Sequence, residues 1–299
     1  MSTAPTRRSL FIIGGAEDKL GEASVLRRFI ELAGGTDARI VVIPTASSFA
    51  DEAVEVYGSV FRRLGAASVD SVDVASRIEA DREDPSSGAA VVDRASGVFL
   101  TGGNQLKLAQ LVVGTALGRA ITRAHDRGAV VAGTSAGASI MSTFMISLGE
   151  EGITPRQRSS QLTSGLGLLP EVIVDQHFAQ RTRYGRLLSL VAGSPNLLGL
   201  GIDEDTAAEV TDGRLVTVLG TGSVFVIDGR RAVTDAHEAA EDAPLLVSGA
   251  VVHALPQGAI FDLGAADLIG FSEQHPDRDV MAVEHEHPDG STVASATGG

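Results

Sequence analysis

The stretch VVAGTSAGASI, residues 130–140, decides the fold, because an apolar run stops there at a serine surrounded by small residues. Gly133, Ser135 and Gly137 form G-x-S-x-G, the pattern of a tight strand-to-helix turn that lifts a serine hydroxyl above a buried strand. A side chain at 133 or 137 would collide with the neighbouring strand or helix. The pattern predicts a nucleophilic Ser135 in a nucleophile elbow. A glycine-rich turn with an ordinary N-capping Ser or Thr is the alternative.

Composition predicts a water-soluble protein with a sizeable core. The 299 residues are 43% hydrophobic and contain no cysteine, which excludes thiol catalysis and thiolate metal sites. A net charge of −14 disfavours nonspecific binding to nucleic acid or to an anionic membrane, because like charges repel. No apolar run approaches a membrane span, and the polar segment 1–8 does not resemble a signal peptide. We therefore expect a cytoplasmic protein with a flexible N-terminus at residues 1–8.

Apolar runs and helical stretches alternate along the chain, which is typical of an α/β fold with a mostly parallel sheet sandwiched by helices. The strands are predicted at residues 10–13, 39–43, 68–74, 97–100, 130–134, 171–174 and 197–202. The helices are predicted at residues 22–33, 53–64, 106–113 and 180–190. The segment 149–167 is rich in glycine and polar residues and predicts a loop with weak structure.

The C-terminal part changes to short hairpin-like strands, predicted at residues 208–211, 215–219 and 223–227. Turns are predicted at Asp212-Gly213, between the first two strands, and at Asp228-Gly229, after the third. This pattern predicts a β-hairpin-rich end of a single α/β domain, residues 9–271. Acidic and small polar residues then predict a disordered tail at 272–299. His285-Glu286-His287 in that tail lacks a third anchored ligand, so we expect no metal site and no cofactor.

Serine chemistry needs a general base and a group that orients the base. His177 directly follows a buried apolar strand, so it is predicted to share a sheet edge with Ser135. Glu204 follows the next strand and is the predicted orienting acid, with the flanking Asp203 and Asp205 as alternatives. The order Ser, His, acid differs from that of α/β-hydrolases, so that fold is disfavoured.

Two backbone N–H groups are predicted to stabilise the oxyanion. The N–H of Ala136 lies at the predicted helix N-terminus directly after the serine. A second strand-to-helix loop, Thr101-Gly102-Gly103-Asn104-Gln105, emerges at the same edge of the sheet. Its glycine pair could supply the other N–H, and a plain turn is the alternative.

Five motifs together resemble the cyanophycinase family, serine peptidases related to dipeptidase E with a fold similar to class I glutamine amidotransferases. The motifs are GGAEDK at 14–19, TGGNQ at 101–105, GTSAGA at 133–138, DQHF at 175–178 followed by three arginines, and IDE at 202–204. The resemblance covers residues 9–230 in order. It implies exo-acting hydrolysis of cyanophycin, a poly-aspartate with arginine on each β-carboxylate, through an acyl-enzyme to β-Asp-Arg dipeptides. It also implies a homodimer.

Carried over to this sequence, the resemblance implies Ser135 as nucleophile, His177 as base and then acid, and Glu204 as orienting carboxylate. The oxyanion N–H groups would belong to Gly103 and Ala136. The implied substrate pocket is lined by Gln105, Asp175, Gln176, Arg181, Arg183 and Arg186. Bidentate pairing suits the arginines to the polymer's carboxylates, and suits the carboxylate of the pocket to a substrate guanidinium. A solvated helix face is the alternative for the arginines.

Asp205 departs from the resemblance, which leads us to expect Asn there. An added negative charge beside the orienting acid would raise the pKa of the base or change a substrate contact, so Asp205 joins the predicted substrate-binding residues. Two other functions stay open: a dipeptidase for Asp- or isoAsp-containing dipeptides, and a noncatalytic small-molecule binder on the same scaffold. The intact set of Ser135, His177 and Glu204 argues against the binder.

Overall fold

A computed structural model describes residues 7–272. The predicted flexible segment 1–8 lies outside this range apart from Arg7 and Arg8, and the predicted tail 272–299 lies outside it apart from Ser272. The run at 285–287 is outside as well. Arg8 donates its backbone N–H to the Asp212 carboxylate at 3.0 Å.

Strands and helices are interspersed up to residue 193, and strands without a further helix follow up to residue 272. The strands are β1 Ser9–Ile13, β2 Arg39–Ile43, β3 Ser68–Ser71, β4 Gly97–Leu100, β5 Val130–Thr134, β6 Phe144–Gly149, β7 Ser160–Ser164, β8 Val172–Gln176, β9 Leu198–Ile202, β10 Thr206–Thr211, β11 Leu215–Gly220, β12 Ser223–Asp228, β13 Val233–Thr234, β14 Val247–Ser248, β15 Val251–Pro256, β16 Ala259–Asp262 and β17 Asp267–Phe271. The helices are α1 Ser24–Leu32, α2 Ala50–Arg63, α3 Arg77–Ala80, α4 Gly88–Val92, α5 Gln105–Val112, α6 Ala116–Asp126, α7 Ala136–Ser139 and α8 Tyr184–Gly193.

The large sheet of the described chain has the strand order β17-β16-β11-β10-β1-β5-β4-β2-β3. The five strands from β1 to β3 in that order run parallel, and β10, β11, β16 and β17 extend the sheet antiparallel. Alternate side chains of β1 enter two cores: Phe11 packs with α1 and α2, and Leu10 packs on the opposite face. This arrangement confirms the predicted α/β class. It also places β5, buried along its whole length, inside the sheet.

A second, four-stranded sheet has the order β15-β12-β9-β8. Val174 and Leu200 of this small sheet share a core with Leu10 of the large sheet, so the two sheets pack face to face. Ile173 points to the other face and packs under α8. A Cβ at Gly201 would lie 2.5 Å from the Phe178 ring, so only glycine allows this close packing.

The small sheet overturns the expectation that Ser135 and His177 follow strands of one sheet. Ser135 follows β5 of the large sheet, whereas His177 follows β8, which pairs with β9 in the small sheet. A buried apolar run reads the same in either sheet, because the pattern reports burial and not the pairing partner. The two residues therefore approach each other across packed sheets.

Three local predictions need correction or refinement. The predicted loop at 149–167 holds at 150–159 and 165–167 but is wrong at 160–164, where β7 pairs with β6 in a hairpin. β7 is polar and largely exposed, so it lacks the apolar alternation of a buried strand. The turn at Asp212-Gly213 is confirmed as a β-hairpin, but Asp228-Gly229 joins no hairpin, since β12 pairs with β9 and β15. The helix expected from residue 180 begins at Tyr184.

Residues 7–272 contain neither a membrane-spanning helix nor a cluster of metal-binding side chains. No helix in that range is long and apolar enough to cross a bilayer. No group of three or more His, Asp or Glu side chains in the same range is arranged to hold a metal ion. That the chain needs no metal or cofactor stays a prediction.

Candidate active site

Ser135 lies in a strained turn between β5 and α7, with φ 54° and ψ −111°. Its N–H donates to the Ile13 carbonyl at 3.1 Å, which anchors the turn to β1. A Cβ at Gly133 would lie 2.1 Å from the Gly137 carbonyl oxygen, and one at Gly137 would lie 2.2 Å from the Leu100 carbonyl oxygen of β4. Close packing therefore requires both glycines, as the sequence predicted.

Three side chains form a continuous hydrogen-bonded chain beside this turn. His177 Nε2 lies 3.0 Å from Ser135 Oγ, and His177 Nδ1 lies 2.6 Å from Glu204 Oε1. With its proton on Nδ1, the imidazole donates to the glutamate and accepts from the serine hydroxyl, as a serine nucleophile requires. The structure thus brings together the three predicted catalytic residues from two sheets.

Gly14 contacts the backbone of His177, and Gly15 contacts its imidazole. The His177 N–H donates to the Gly14 carbonyl at 2.8 Å, and the His177 backbone is left-handed at φ 49°. Gly15 has φ 107°, and a Cβ there would lie 2.2 Å from the imidazole Cε1. Any side chain at position 15 would push the ring out of place.

The electrostatics of the site keep His177 neutral. Burial lowers the pKa of His177 below its ordinary value of 6.5, and the Arg181 charge lowers this pKa further, against the hydrogen bond to Glu204, which raises it. A neutral imidazole is the form that accepts a proton, so His177 is ready to act as a base near neutral pH.

One predicted oxyanion donor, Ala136, directly follows Ser135, and the other, Gly103, belongs to the loop after β4. The N–H groups of Gly103 and Ala136 have no acceptor among the described residues. Gly103 has φ 141°, and its Cβ would lie 2.1 Å from the Ala46 carbonyl oxygen, so the loop requires glycine. A Cβ at Gly102 would lie 3.2 Å from Ser135 Cβ. The loop after β4 therefore passes beside the serine, and the oxyanion role of the two free N–H groups stays a prediction.

The two alternative acids make other contacts. Asp203 is buried and accepts the N–H groups of Ala179 at 2.9 Å and Ser223 at 3.1 Å. Asp205 accepts the Asp18 N–H at 2.9 Å and the Thr221 hydroxyl at 3.2 Å, and its predicted binding of substrate stays a prediction. The Asp205 carboxylate thus binds the segment 14–18, which contains Gly15. This contact joins residues that are far apart in the sequence.

Gln105 and Gln176 are joined beside His177. Gln176 Nε2 donates to Gln105 Oε1 at 2.8 Å, and Gln105 Nε2 donates to the carbonyls of Ile146 and Ser147. Arg183 donates from Nη1 to the Gln176 carbonyl at 2.7 Å and to the Gln176 side-chain oxygen. Burial, reinforced by the charge of Arg186, lowers the pKa of Arg183 to about 10, so the guanidinium stays charged at neutral pH. These contacts tie α5, β6 and β8 together.

Asp175 and Arg186 form a buried ion pair. Arg186 Nε donates to Asp175 Oδ2 at 2.7 Å, and Nη2 donates to Oδ1. The two side chains are 1% and 4% exposed, so Asp175 is not available to a substrate guanidinium as expected. Arg183 is buried as well, and of the three predicted arginines only Arg181 is exposed. Burial therefore excludes the solvated alternative for Arg183 and Arg186, and for Arg181 both that alternative and the predicted substrate contact stay open.

The sequence profile of peptidase family S51 matches residues 10–218. The chain belongs to peptidase family S51. A cyanophycinase from Geminocystis herdmanii is 39% identical to this S51 peptidase over 254 residues, which cover 84% of the chain and 92% of that protein. A cyanophycinase from Trichormus variabilis is 40% identical over 261 residues, 86% of each chain. These matches confirm the resemblance drawn from the five motifs, and the chain is a serine peptidase.

The fold of this S51 peptidase also occurs in a solved structure. The crystal structure of a peptidase from an acI-B1 Actinobacterium superimposes with a TM-score of 0.60 and 22% sequence identity. The superposition covers 83% of this chain and 98% of that one. At this identity the likeness shows the shared fold alone.

Glu17 of this S51 peptidase is a site residue that the sequence analysis missed. Its carboxylate is fully buried and accepts the Thr134 hydroxyl at 2.6 Å and the Tyr57 hydroxyl at 2.5 Å. Lys19 Nζ lies 3.0 Å from Glu17 Oε1. Burial and the Glu17 charge raise the pKa of Tyr57, so its phenol stays a donor. The available signal was an acid two residues after the Gly14-Gly15 pair. Thr134 precedes the serine, so Glu17 supports the elbow from below.

Proposed function

We propose that this S51 peptidase hydrolyses cyanophycin from one end into β-Asp-Arg dipeptides. The observation that carries the proposal is the hydrogen-bonded chain from Ser135 through His177 to Glu204. Two relatives named cyanophycinase, at 39% and 40% identity, support the choice of substrate. A cytoplasmic location and a homodimer belong to the same proposal; cell fractionation and light scattering measure them.

In the first half of the proposed reaction, Ser135 Oγ attacks the carbonyl carbon of a backbone peptide bond while His177 Nε2 takes the hydroxyl proton. The Nδ1–H of His177 stays bonded to Glu204, whose charge stabilises the imidazolium. The N–H groups of Gly103 and Ala136 bind the oxyanion of the tetrahedral intermediate. The imidazolium then gives its proton to the leaving nitrogen, the C–N bond breaks, and an ester on Ser135 remains.

In the second half, a water molecule attacks the ester carbonyl and His177 Nε2 takes its proton. The same two N–H groups bind the new oxyanion. As the C–O bond to Ser135 breaks, the imidazolium returns a proton to Oγ, and the product leaves as a carboxylic acid that ionises at neutral pH. The net reaction consumes one water molecule for each peptide bond.

The arginines that follow His177 divide into two groups in this proposal. Arg181 is exposed and lies near enough to His177 to lower its pKa, so its guanidinium is placed to pair with a substrate carboxylate. Arg183 and Arg186 are buried. Arg183 donates to Gln176, and Arg186 donates to Asp175. They shape the wall of the pocket and leave direct contact to Arg181.

The test is incubation of the purified protein with insoluble cyanophycin, followed by mass spectrometry of the soluble product. Ser135→Ala removes the nucleophile, and we expect the rate to fall about ten-thousandfold or more. Ser139→Ala is the matched control, because Ser139 is buried on α7 and its hydroxyl has no partner within residues 7–272. We expect this control to keep full activity.

Release of β-Asp-Arg by the wild type and by Ser139→Ala, but not by Ser135→Ala, supports the proposal. Cleavage of Asp- or isoAsp-dipeptides without release from the polymer would replace it with a dipeptidase function. A folded Ser135→Ala protein with full activity would remove Ser135 from the mechanism.

A further inference from the structure

The branch of the proposed substrate carries charges of both signs. Arginine is attached through its α-amino group, so each branch keeps a guanidinium and a free α-carboxylate. The carboxylate expected to hold that guanidinium, Asp175, is closed by its buried pair with Arg186. A second anionic group is therefore needed to recognise the branch.

A cavity of about 160 Å³ lies beside this ion pair, between the β6–β7 hairpin and α8. Glu150, Glu151 and Arg156 of the hairpin loop line it, and Arg186 of α8 forms part of its wall. Asp175 pairs with Arg186 and also lies 3.5 Å from Arg183 Nη1, and Arg183 Nη2 lies 3.8 Å from Glu151, so carboxylates offset the positive charge at this wall. The cavity therefore combines two carboxylates with one guanidinium of its own.

The charged side chains that line this cavity have few hydrogen-bond or ion-pair partners among the described residues. Within residues 7–272, the Glu150 side chain has no hydrogen-bond or ion-pair partner, and Glu151 has only the Arg183 Nη2 at 3.8 Å. Arg156 donates to the Asp242 carbonyl at 2.9 Å and has no acidic partner in that range. Groups of both signs are thus available.

The cavity is built onto the segment that follows the catalytic histidine. Gly152 of the hairpin loop donates its N–H to the Thr182 carbonyl at 2.7 Å, and accepts from the Gly185 N–H at 2.8 Å. Arg183 connects the end of β8 to the hairpin loop, since it contacts Gln176 of β8 and Glu151 of the loop. These bonds attach the hairpin loop that lines the cavity to the segment that follows His177.

We propose that this cavity binds the arginyl branch of the substrate: Glu150 and Glu151 take the guanidinium, and Arg156 takes the α-carboxylate. The inference rests on the proposed function. Carboxylates accept the forked N–H groups of a guanidinium through charge-assisted hydrogen bonds, and Arg156 offers the reciprocal fork to a carboxylate. The site therefore selects a branch that carries both charges.

The test compares two synthetic β-linked oligomers, one with arginine branches and one with citrulline branches. Citrulline keeps the shape and the α-carboxylate but is neutral, so it removes the contact to the two glutamates alone. We expect Glu150→Gln/Glu151→Gln to raise KM about tenfold for the arginine oligomer and to leave KM for the citrulline oligomer unchanged. Arg156→Gln is expected to raise KM for both oligomers.

The matched control is Glu52→Gln/Glu55→Gln, which removes the same two charges from the exposed side of α2. It corrects for the long-range effect of net charge. If the wild type cleaves both oligomers equally well, or if the Glu150/Glu151 variant keeps its preference for arginine, the inference is overturned and the proposed function stands. If the wild type cleaves neither oligomer nor the polymer, both fall together.

Discussion

The two sides of the candidate catalytic site are built differently. On the serine side, buried β5 and glycine contacts fix the Ser135 turn inside the large sheet. On the other side, His177 and Glu204 lie in loops after strands of the small sheet, and His177 is held in a left-handed conformation. Each side is anchored locally, but the 3.0 Å contact between Ser135 Oγ and His177 Nε2 depends on how the two sheets are held together.

The segment 14–18 links the two sides. Its Gly14 carbonyl accepts the His177 N–H, and its Asp18 N–H donates to Asp205 in the loop after Glu204. Its Glu17 carboxylate accepts the Thr134 hydroxyl on the serine side. One loop thus contacts both sheets at their functional ends, and variants of this loop test whether it sets the catalytic geometry.

Gly15→Ala is expected to have the largest effect. The added Cβ would lie 2.2 Å from His177 Cε1, so the imidazole must move away from the serine hydroxyl. A displacement of about 1 Å costs roughly a hundredfold in rate, and we expect that loss in kcat. Gly65→Ala is the control, because Gly65 has φ +100° and nothing lies within 4 Å of the added Cβ. Equal kcat for the two variants would show that Gly15 does not determine the position of the His177 imidazole.

Glu17→Gln comes next. The change keeps the shape but removes the buried charge that accepts the Thr134 and Tyr57 hydroxyls. We expect the free energy of unfolding to fall by about 2 kcal/mol and kcat to fall about tenfold, because a buried charge-assisted contact is weakened. Denaturant unfolding and steady-state kinetics measure the two, with the exposed Glu22→Gln as control. A destabilised variant with wild-type kcat would reduce Glu17 to a purely structural role.

Arg181→Gln sharpens the comparison through the pH profile. The Arg181 charge lowers the pKa of His177, so its removal raises that pKa. Since the base must be neutral, activity is lost as pH falls through this pKa, and the acid limb of kcat/KM moves to higher pH. Arg158→Gln, another exposed arginine, should leave the limb in place. The position of the limb, and not the height of the plateau, is the readout; a limb that stays in place in Arg181→Gln contradicts the assignment.

Asp205→Asn is expected to have the smallest effect. The Asn side chain keeps the oxygen that accepts the Asp18 N–H, so kcat should stay within about twofold of the wild type. Asp205→Ala removes that acceptor and should lower kcat further. If Asn changes KM for cyanophycin while kcat is kept, Asp205 contacts the substrate after all.

The main elements of the site could be predicted from local pattern. The G-x-S-x-G turn placed Ser135, and the position of His177 and Glu204 after buried strands singled them out. The hairpin at 144–164 was missed because its second strand is polar and exposed, so the chain shows no apolar period there. Glu17 was missed because two adjacent acids shortly after a glycine pair are typical of an ordinary turn.

The sequence by itself determined the residue types that the chemistry needs and the turns that present them, because strained turns and buried strands impose strong local requirements. Only the tertiary structure decided that two sheets share the catalytic residues and that Asp175 is closed by Arg186. It also decided that Asp205 holds a loop and that two glutamates are left without a strong partner beside α8. Charge pairing and sheet pairing depend on distances between residues far apart in the chain, and these distances exist only once the chain has packed.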